Sequence, residues 1–385
     1  MSWPVSDDYR QAIKRSHRIC TRLEVLRYGS TQDVLKIAGG SVTVDSAQSI
    51  RRTMQIPLLD RAGDLVPGIP SDLLHIVGNE LRAWRGIDFG DDRPGIPDGV
   101  APRGCELVPL ITGPLYENDA DDQGGGIALS LQCYDRARYI ADAPWDDHYI
   151  PTPGNYYTDV IMAAIRDRLP ASLTVSTDNV DFTTELTPAG LGTGNNSSDD
   201  PMTTLIRWAL NIGMDLAFDP LGDPFLRETP DPVNDQPVAS YSDQRGELFS
   251  VRKRLSRETV YNWITVTGES PGGGAPVRAV VKDEDPNSPT YVEAMGPKRF
   301  EYTSELIRSE LQALRTATSL LRQKSGISET VSFGANVDGS LDVFDVVELE
   351  RARMKISARY ALEAFSVPLD PETPGDFAVR HRRTN

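Results

Sequence analysis

A chain that performs chemistry must bring nucleophiles, acids, bases or metal ligands together, and here those residue types are sparse and scattered. The four histidines, His17, His75, His148 and His381, share no metal-ligand spacing, and there is no His-Glu-x-x-His. The cysteines Cys20, Cys105 and Cys133 form an odd set without a Cys-x-x-Cys, which argues against a disulfide framework and against zinc. No Gly-x-Ser-x-Gly elbow and no Gly-x4-Gly-Lys-Ser/Thr phosphate loop occurs. Gly190, Gly192 and Gly194 look like a dinucleotide fingerprint only superficially, since the third glycine is misplaced and no strand leads tightly into them. They read as a loop.

Two acidic clusters invite a metal reading. Asp119, Asp121 and Gly124 sit as in a calcium loop, where alternate oxygens in a tight turn surround a hard cation. Gln123 holds the third ligand position, however, and Ser130 replaces the closing Glu, so a solvated hairpin tip is the better expectation. Asp146, Asp147 and His148 could form a metal patch, but a charged linker explains them as well and is preferred. The one concentrated run of positive charge is Arg252, Lys253, Arg254 and Arg257 on an expected strand. It is either a solvated strand or a docking edge for an acidic neighbouring subunit. Nothing singles out a carboxylate pair for sugar hydrolysis. No catalytic, cofactor-binding or metal-binding residue is therefore assigned, and no cofactor is expected.

The elements that would have to position such groups are mostly strands. The chain has 385 residues, enough for two or three domains, with 39% hydrophobic and 25% charged residues. From about 19 to 134 apolar residues recur with period two: Val42 and Val44; Met54, Ile56 and Leu58; Ile127, Leu129, Leu131 and Cys133. Gly and Pro punctuate these runs, which predicts an antiparallel barrel or sandwich. The middle turns helical over 156–169, and a second helix starts at Asp200 as cap with Pro201 at its first position. The segment SLTVS between them reads as a short strand. Period two returns after about 240, in strands over 248–255, 260–268, 277–282, 327–333, 341–349 and 354–367. These are interrupted by a long helix over 304–324 with a stripe of Ile307, Leu311, Leu314, Thr318 and Leu321, of which Ile307, Leu311, Leu314 and Leu321 are expected to face inward.

The fold class expected is mostly β, of α+β type. Residues 1–142 form a first β block and 143–240 an α/β insertion with linkers. Residues 241–370 form a second β block carrying the helix, and 371–385 a C-terminal tail. The formal charge of −16 disfavours phosphate-backbone binding. The start, MSWPVSDDYR, lacks the basic and apolar regions of a signal peptide, and no apolar run is long enough to span a bilayer. Cytoplasmic synthesis without stable membrane insertion is expected.

Several stretches resemble a known family. The run from MSWPVSDDY through HRICTRLEVL, SVTVD, RRTMQIPL and LRAWRGIDF resembles minor tail proteins of phages infecting actinobacteria. RGELFSVRKRLSRETVYNWITVTGE and GISETVSFGANVDGSLDVFDVVEL resemble the second half of tail-hub proteins, with Asn262, Val266 and Gly268 in an Asn-x-x-x-Val-x-Gly element. Related hubs usually have Gly before Asp-Val-Val, where this chain has Phe344. The resemblance implies two tube-type antiparallel β-barrels flanking the insertion, in a homotrimer that adapts a sixfold tube or distal tail ring to a threefold tip. It further implies contacts with the tape-measure protein's C-terminus and a spike or fibre-bearing tail protein. DNA would pass the channel without specific binding, in a virion tail tip assembled in the host cytoplasm. The alternatives are a tail-borne cell-wall hydrolase, which would show raised carboxyl pKa values in a cleft, and a carbohydrate-binding receptor module with an aromatic platform.

Overall fold

The computed structural model describes residues 2–122, 124–145, 154–177, 180, 200–212, 214–228, 235–243, 248–256, 258, 260–269, 275–288, 290–304, 307–325 and 328–382. A short helix, α1 (Asp7–Ala12), is capped by Ser6. Seven strands follow: β1 (Arg18–Arg27), β2 (Ser30–Leu35), β3 (Ser41–Asp45), β4 (Arg52–Asp60), β5 (Asn79–Asp88), β6 (Cys105–Asp122) and β7 (Ile127–Tyr134). The middle holds α2 (Ala137–Asp142), α3 (Tyr157–Arg166), α4 (Pro201–Asn211) and the hairpin β8 (Met214–Phe218) and β9 (Pro224–Glu228). Then come β10 (Ala239–Ser242), β11 (Leu248–Ser256), β12 (Trp263–Gly268), β13 (Arg278–Lys282), α5 (Val292–Met295), β14 (Arg299–Ser304) and α6 (Glu310–Lys324). The chain closes with β15 (Ser328–Ala335), β16 (Val346–Arg351), β17 (Ile356–Pro368) and β18 (Gly375–Arg382). The fold is β-rich α+β, as expected.

The two β blocks are one sheet. Its main path runs β11-β15-β18-β17-β3-β4-β7-β6-β5-β1-β2, with β16 on β17 and β10 on β16. The blocks meet where β17 pairs antiparallel with β3. A single hydrophobic cluster crosses that joint, containing Val42, Val44, Met54 and Leu131 from one side and Phe333, Phe365, Val367 and Phe377 from the other.

Within this sheet one strand order occurs twice. Leaving out β2, the first block reads β3-β4-β7-β6-β5-β1 and the second reads β11-β15-β18-β17-β16-β10. Ranked by chain position within each block, both orders are second, third, sixth, fifth, fourth, first. In each block the fifth strand is the long one, and it exchanges the fourth strand for the sixth along its length at a bulge: after Leu115 in β6 and after Leu362 in β17. The first pair differs in direction, since β1 and β5 are antiparallel and β10 and β16 parallel. The six-strand plan is the shared unit; β2 and the segment from β12 to α6 are additions to it.

Several expectations need correction. The residues 172–176 form no strand. The span 341–349 is strand only from Val346, since Asp342 and Asp345 shape a turn before it. The supposed tail contains β18, paired on both sides, with Phe377 and Val379 buried. Its flanking Pro, Thr and Arg residues disguised a short alternating run.

The long helix starts later than expected, at Glu310, because Ser309 caps it by accepting the Gln312 N–H at 3.2 Å, and residue 304 ends β14. It packs not on the large sheet but on a separate one, β13-β12-β14, with a core of Ile264, Val266, Ile307, Ala313, Ala317 and Leu320. Ile307 is buried, but Leu311 and Leu314 are 58% and 48% exposed. Ile307 and Leu321 pack against this core as expected, whereas Leu311 and Leu314 give way to Ala313, Ala317 and Leu320, the two alanines letting the helix lie close to the sheet.

Two stability outcomes follow. Leu314→Asp should change unfolding free energy by less than about 0.5 kcal/mol, whereas Ala317→Asp buries an unpaired charge and should cost roughly 3 kcal/mol or more. Urea titration of both variants checks the helix phase. Deleting residues 371–385 removes a strand from inside the sheet and should abolish the cooperative transition of the C-terminal half; an unchanged melt would contradict the pairing of β18.

Candidate functional site

Among the described residues, the side chains that could do chemistry do not converge. His17 bonds the Arg15 carbonyl, and His75 accepts the Val77 N–H. His148, Asp146, Asp147, Gln123, Arg257 and the glycines Gly190, Gly192 and Gly194 lie outside the described residues. Asp119 and Asp121 lie on β6, opposite Ser130 and Ala128, so they edge a hairpin rather than encircle a cation. Among the described residues, no cluster of three or more His, Cys, Asp or Glu could hold a metal, and no helix is long and apolar enough to cross a membrane. Burial pushes the thiols of Cys20, Cys105 and Cys133 upward, away from thiolate reactivity.

Raised carboxyl groups, the expected sign of a hydrolase, do occur. Burial lifts Asp135 and Asp345 each to about 6, and the Asp342 carboxylate adds to the effect on Asp345. Both sit inside the protein and not in a cleft. Asp338 is also raised by burial and does reach a surface pocket, but that pocket's other charged lining residues are Arg10 and Lys14. Among the described lining residues there is no second carboxylate, which sugar hydrolysis requires.

What the fold does assemble is a long polar surface. Residues directly opposite one another in a sheet share a face. Following the register, Ser250, Gly334, Asp376, Ser366, Thr43, Thr53 and Tyr134 form one row across seven strands. Parallel rows are Arg252, Ser332, Ala378, Ala364 and Asp45, and then Ser41, Gln55, Gln132 and Glu117. The alternate residues, including Phe333, Phe377, Phe365 and Val44, point into the core, where the Phe333 and Phe377 rings stack at 5.1 Å. Hydroxyls, amides, methyls and a few charged groups, Asp376, Asp45, Glu117 and Arg252, thus cover one side of a surface drawn from both blocks. An open groove of about 420 Å³ runs along it beside Ser332, Ala364, Ser366 and Ala378.

Behind this face a buried ionic joint fixes the three parts of the chain. Arg51 immediately precedes β4 and Arg52 opens it. The Arg51 guanidinium makes two hydrogen bonds to Asp215 on β8, and Arg227 on β9 lies 3.9 Å from the same carboxylate. Arg52 donates to Asp342 at 2.6 Å and to the Leu110 carbonyl at 2.9 Å, while its own N–H bonds Asp135 at 2.8 Å. Although Asp342 is buried, Arg52 helps hold its carboxyl below the usual range. Arg136 grips Glu80 through two bonds of 2.9 and 2.8 Å. Phe344 completes the joint, with Arg51 and Arg227 over its ring at 5.2 and 5.5 Å. Its φ of 67° explains why a glycine suits this position. A phenylalanine there accepts the left-handed backbone and gains two cations over its ring.

The hub-like element at Asn262 is structural as well. Its wholly buried side-chain amide donates to the Thr290 and Gly296 carbonyls, both at 3.0 Å, and its oxygen accepts from Lys298 N–H at 2.8 Å. Gly268 is required by packing, since a Cβ there would lie 2.0 Å from the Ile307 carbonyl oxygen.

The raised Asp135 gives a pH test. The folded state holds this proton more tightly than the unfolded chain, so the burial penalty is full above about pH 6 and is relieved as pH falls toward the ordinary Asp range. Relative to Asp135→Asn, the wild type should therefore gain on the order of 2 kcal/mol between about pH 7 and pH 4. Urea midpoints across that window check it, and a flat difference between the two proteins would refute it.

No family model and no curated protein matches the chain. Solved structures do. The prophage MuSo2 43 kDa tail protein from Shewanella oneidensis superposes with a TM-score of 0.61 at 12% identity, over 94% of this chain and 98% of that one. The tail protein from Neisseria meningitidis MC58 gives 0.61 at 14% identity, over 94% and 96%. The c3393 protein of E. coli, a type VI secretion component described as similar to T4 phage tail proteins gp27 and gp5, gives 0.50 at 8% identity, over 96% and 77%. At such identities the likeness is one of fold, and the fold is that of these tail proteins over nearly their whole length.

Proposed function

We propose that this chain is a structural subunit of a phage tail tip: a trimeric central hub that adapts a sixfold tail tube or distal ring to a threefold tip. The observation that carries this reading is the strand order that occurs twice in one sheet. A ring with six equivalent docking positions can be met by three chains only if each chain repeats its docking unit. The two units in this reading are the block at 1–142 and the block from β10 to β18, which begins at Ala239 and takes in the strand first expected to be a tail, with the α/β segment between them set outside. The likeness in fold to prophage tail proteins supports it.

The polar sheet face is proposed as the channel lining. Ser, Thr, Gln and Ala offer DNA neither apolar patches nor a stripe of cations. In the three cross-strand rows traced above, the carboxylates Asp376, Asp45 and Glu117 outnumber the one cation, Arg252, which suits a surface that DNA must pass without adhering. Partners in this reading are the distal ring or tube above, the tape-measure end within, and a spike or fibre-bearing protein below. The activity is mechanical and not enzymatic.

A reconstruction of the assembled tail tip should contain three copies in this ring, with the row from Ser250 to Tyr134 toward the lumen; six copies would exclude the adapter role. Function is tested by Gln55→Arg together with Ser332→Arg, at corresponding places in the two blocks. Particles carrying both should assemble normally yet release DNA roughly tenfold more slowly at low salt, with recovery at high salt as phosphate contacts are screened. Release kinetics identical to wild type would place this face away from the DNA.

A further inference from the structure

The internal repeat carries an inference about how one copy meets the next, resting on the trimeric reading for the number of copies. Inside one chain the blocks join through a defined pair of strands: β17, the fifth strand of the second unit, lies beside β3, the second strand of the first. The corresponding pair left over is β6, fifth strand of the first unit, and β11, second strand of the second. Both have an edge to offer. β11 pairs only with β15 among the described strands. The outer half of β6, residues 115–122, pairs with β7 on one side, while on the other the β5 ladder stops at Pro114.

We propose that β6 of one copy and β11 of the next form an antiparallel seam in the register of the β17–β3 joint. That register can be transferred residue by residue. Ala364 and Glu117 correspond, as the residues after the bulge that lie opposite Ala378 and Gln132 of the sixth strand. Ser366 then corresponds to Asp119 and Pro368 to Asp121. Through the third strands, Gln55 corresponds to Ser332, so Ser41 corresponds to Arg252 and Thr43 to Arg254. Within the chain, Thr43 is opposite Ser366 and Ser41 is opposite Pro368. Between copies the same register sets Asp119 opposite Arg254 and Asp121 opposite Arg252.

Two charged stretches that are far apart in sequence thus become cross-strand partners, on one face and with opposite sign. Asp119, Asp121, Arg252 and Arg254 are all exposed in the single chain, as are the neighbouring Phe249 and Leu255. Strand lengths also match, with eight residues in the outer half of β6 and nine in β11. The seam would also neutralise the arginines of the basic run on the face proposed for DNA passage. An exposed edge that is basic and an exposed edge that is acidic each repel their own kind, which directs pairing head to tail.

The test uses the full-length protein in sedimentation equilibrium, with circular dichroism as a folding control. Arg252→Asp with Arg254→Asp, or Asp119→Arg with Asp121→Arg, should weaken self-association by roughly tenfold or more, and all four changes together should restore it. In parallel, Asp119→Cys with Arg254→Cys should form an intermolecular disulfide that closes at trimer, while Asp119→Cys alone should not. Wild-type trimers that persist in both charge-reversed variants and give no crosslink would overturn the seam and leave the trimeric reading standing. Crosslinked ladders that run past trimer would support the seam but overturn the threefold ring. A wild type that stays monomeric at its highest soluble concentration and gives no crosslink would overturn the seam, leaving the copy number to the tail reconstruction.

Discussion

The antiparallel pairing of β3 with β17 holds five residue pairs, and the placement of nearly everything else depends on it. It turns two β blocks into one sheet and aligns their polar rows. It also buries Val42 and Val44 against Phe365 and Val367 in a common core. Backbone bonds extend the joint past the strand, with Ser46 N–H donating to Glu363 and Leu369 N–H to Gly40. Without this pairing the blocks would present separate edges, and an exposed pair of edges invites association with the wrong partner.

The ionic joint beside the β3–β17 pairing is better understood as specification than as net stabilisation. Removing Arg51, Arg52, Asp215 and Asp342 from water is costly, and a matched apolar cluster could have held the parts at least as firmly. Apolar contacts slide, however, whereas a guanidinium with two bonds to one carboxylate fixes angle and distance together. Each arginine reaches a different part of the chain: Arg51 the β8–β9 insertion and Arg52 the turn before β16. One turn at the start of β4 therefore sets the orientation of all three. The N-terminal segment reinforces it, since Trp3 N–H bonds Ser340 and Ser6 bonds Glu106.

Such rigidity is in keeping with the proposed channel role, in which the shape must survive the passage of a stiff polymer. The polar face is possible because Phe333, Phe365 and Phe377 fill the core side, leaving mainly hydroxyl, amide, carboxylate and small side chains to face outward. Buried Asn262 plays the same part in the β12–α6 unit, where it satisfies three loop groups at once and spares that loop an unpaired amide.

Local features of the fold were legible in the sequence. Alternation marked Val42 and Val44 or Ile56 and Leu58 as strand residues, and Asp200 followed by Pro201 announced α4, where the Asp200 side chain accepts the Thr203 N–H. The β6–β7 hairpin at Asp119 and Asp121 was likewise readable, because turn chemistry acts within a few residues. What needed the tertiary structure was every choice among distant partners. Leu311 and Leu314 show that period fixes helix type, while the phase depends on what lies opposite, and here a sheet selected Ala313, Ala317 and Leu320 instead. β18 was invisible for the same reason, since a short run holding Phe377 and Val379 becomes an interior strand only when β15 and β17 flank it. The repeated strand order left no mark in composition or motif, because residue pairing across hundreds of positions is decided by packing and register, and neither is written in any local stretch of the chain.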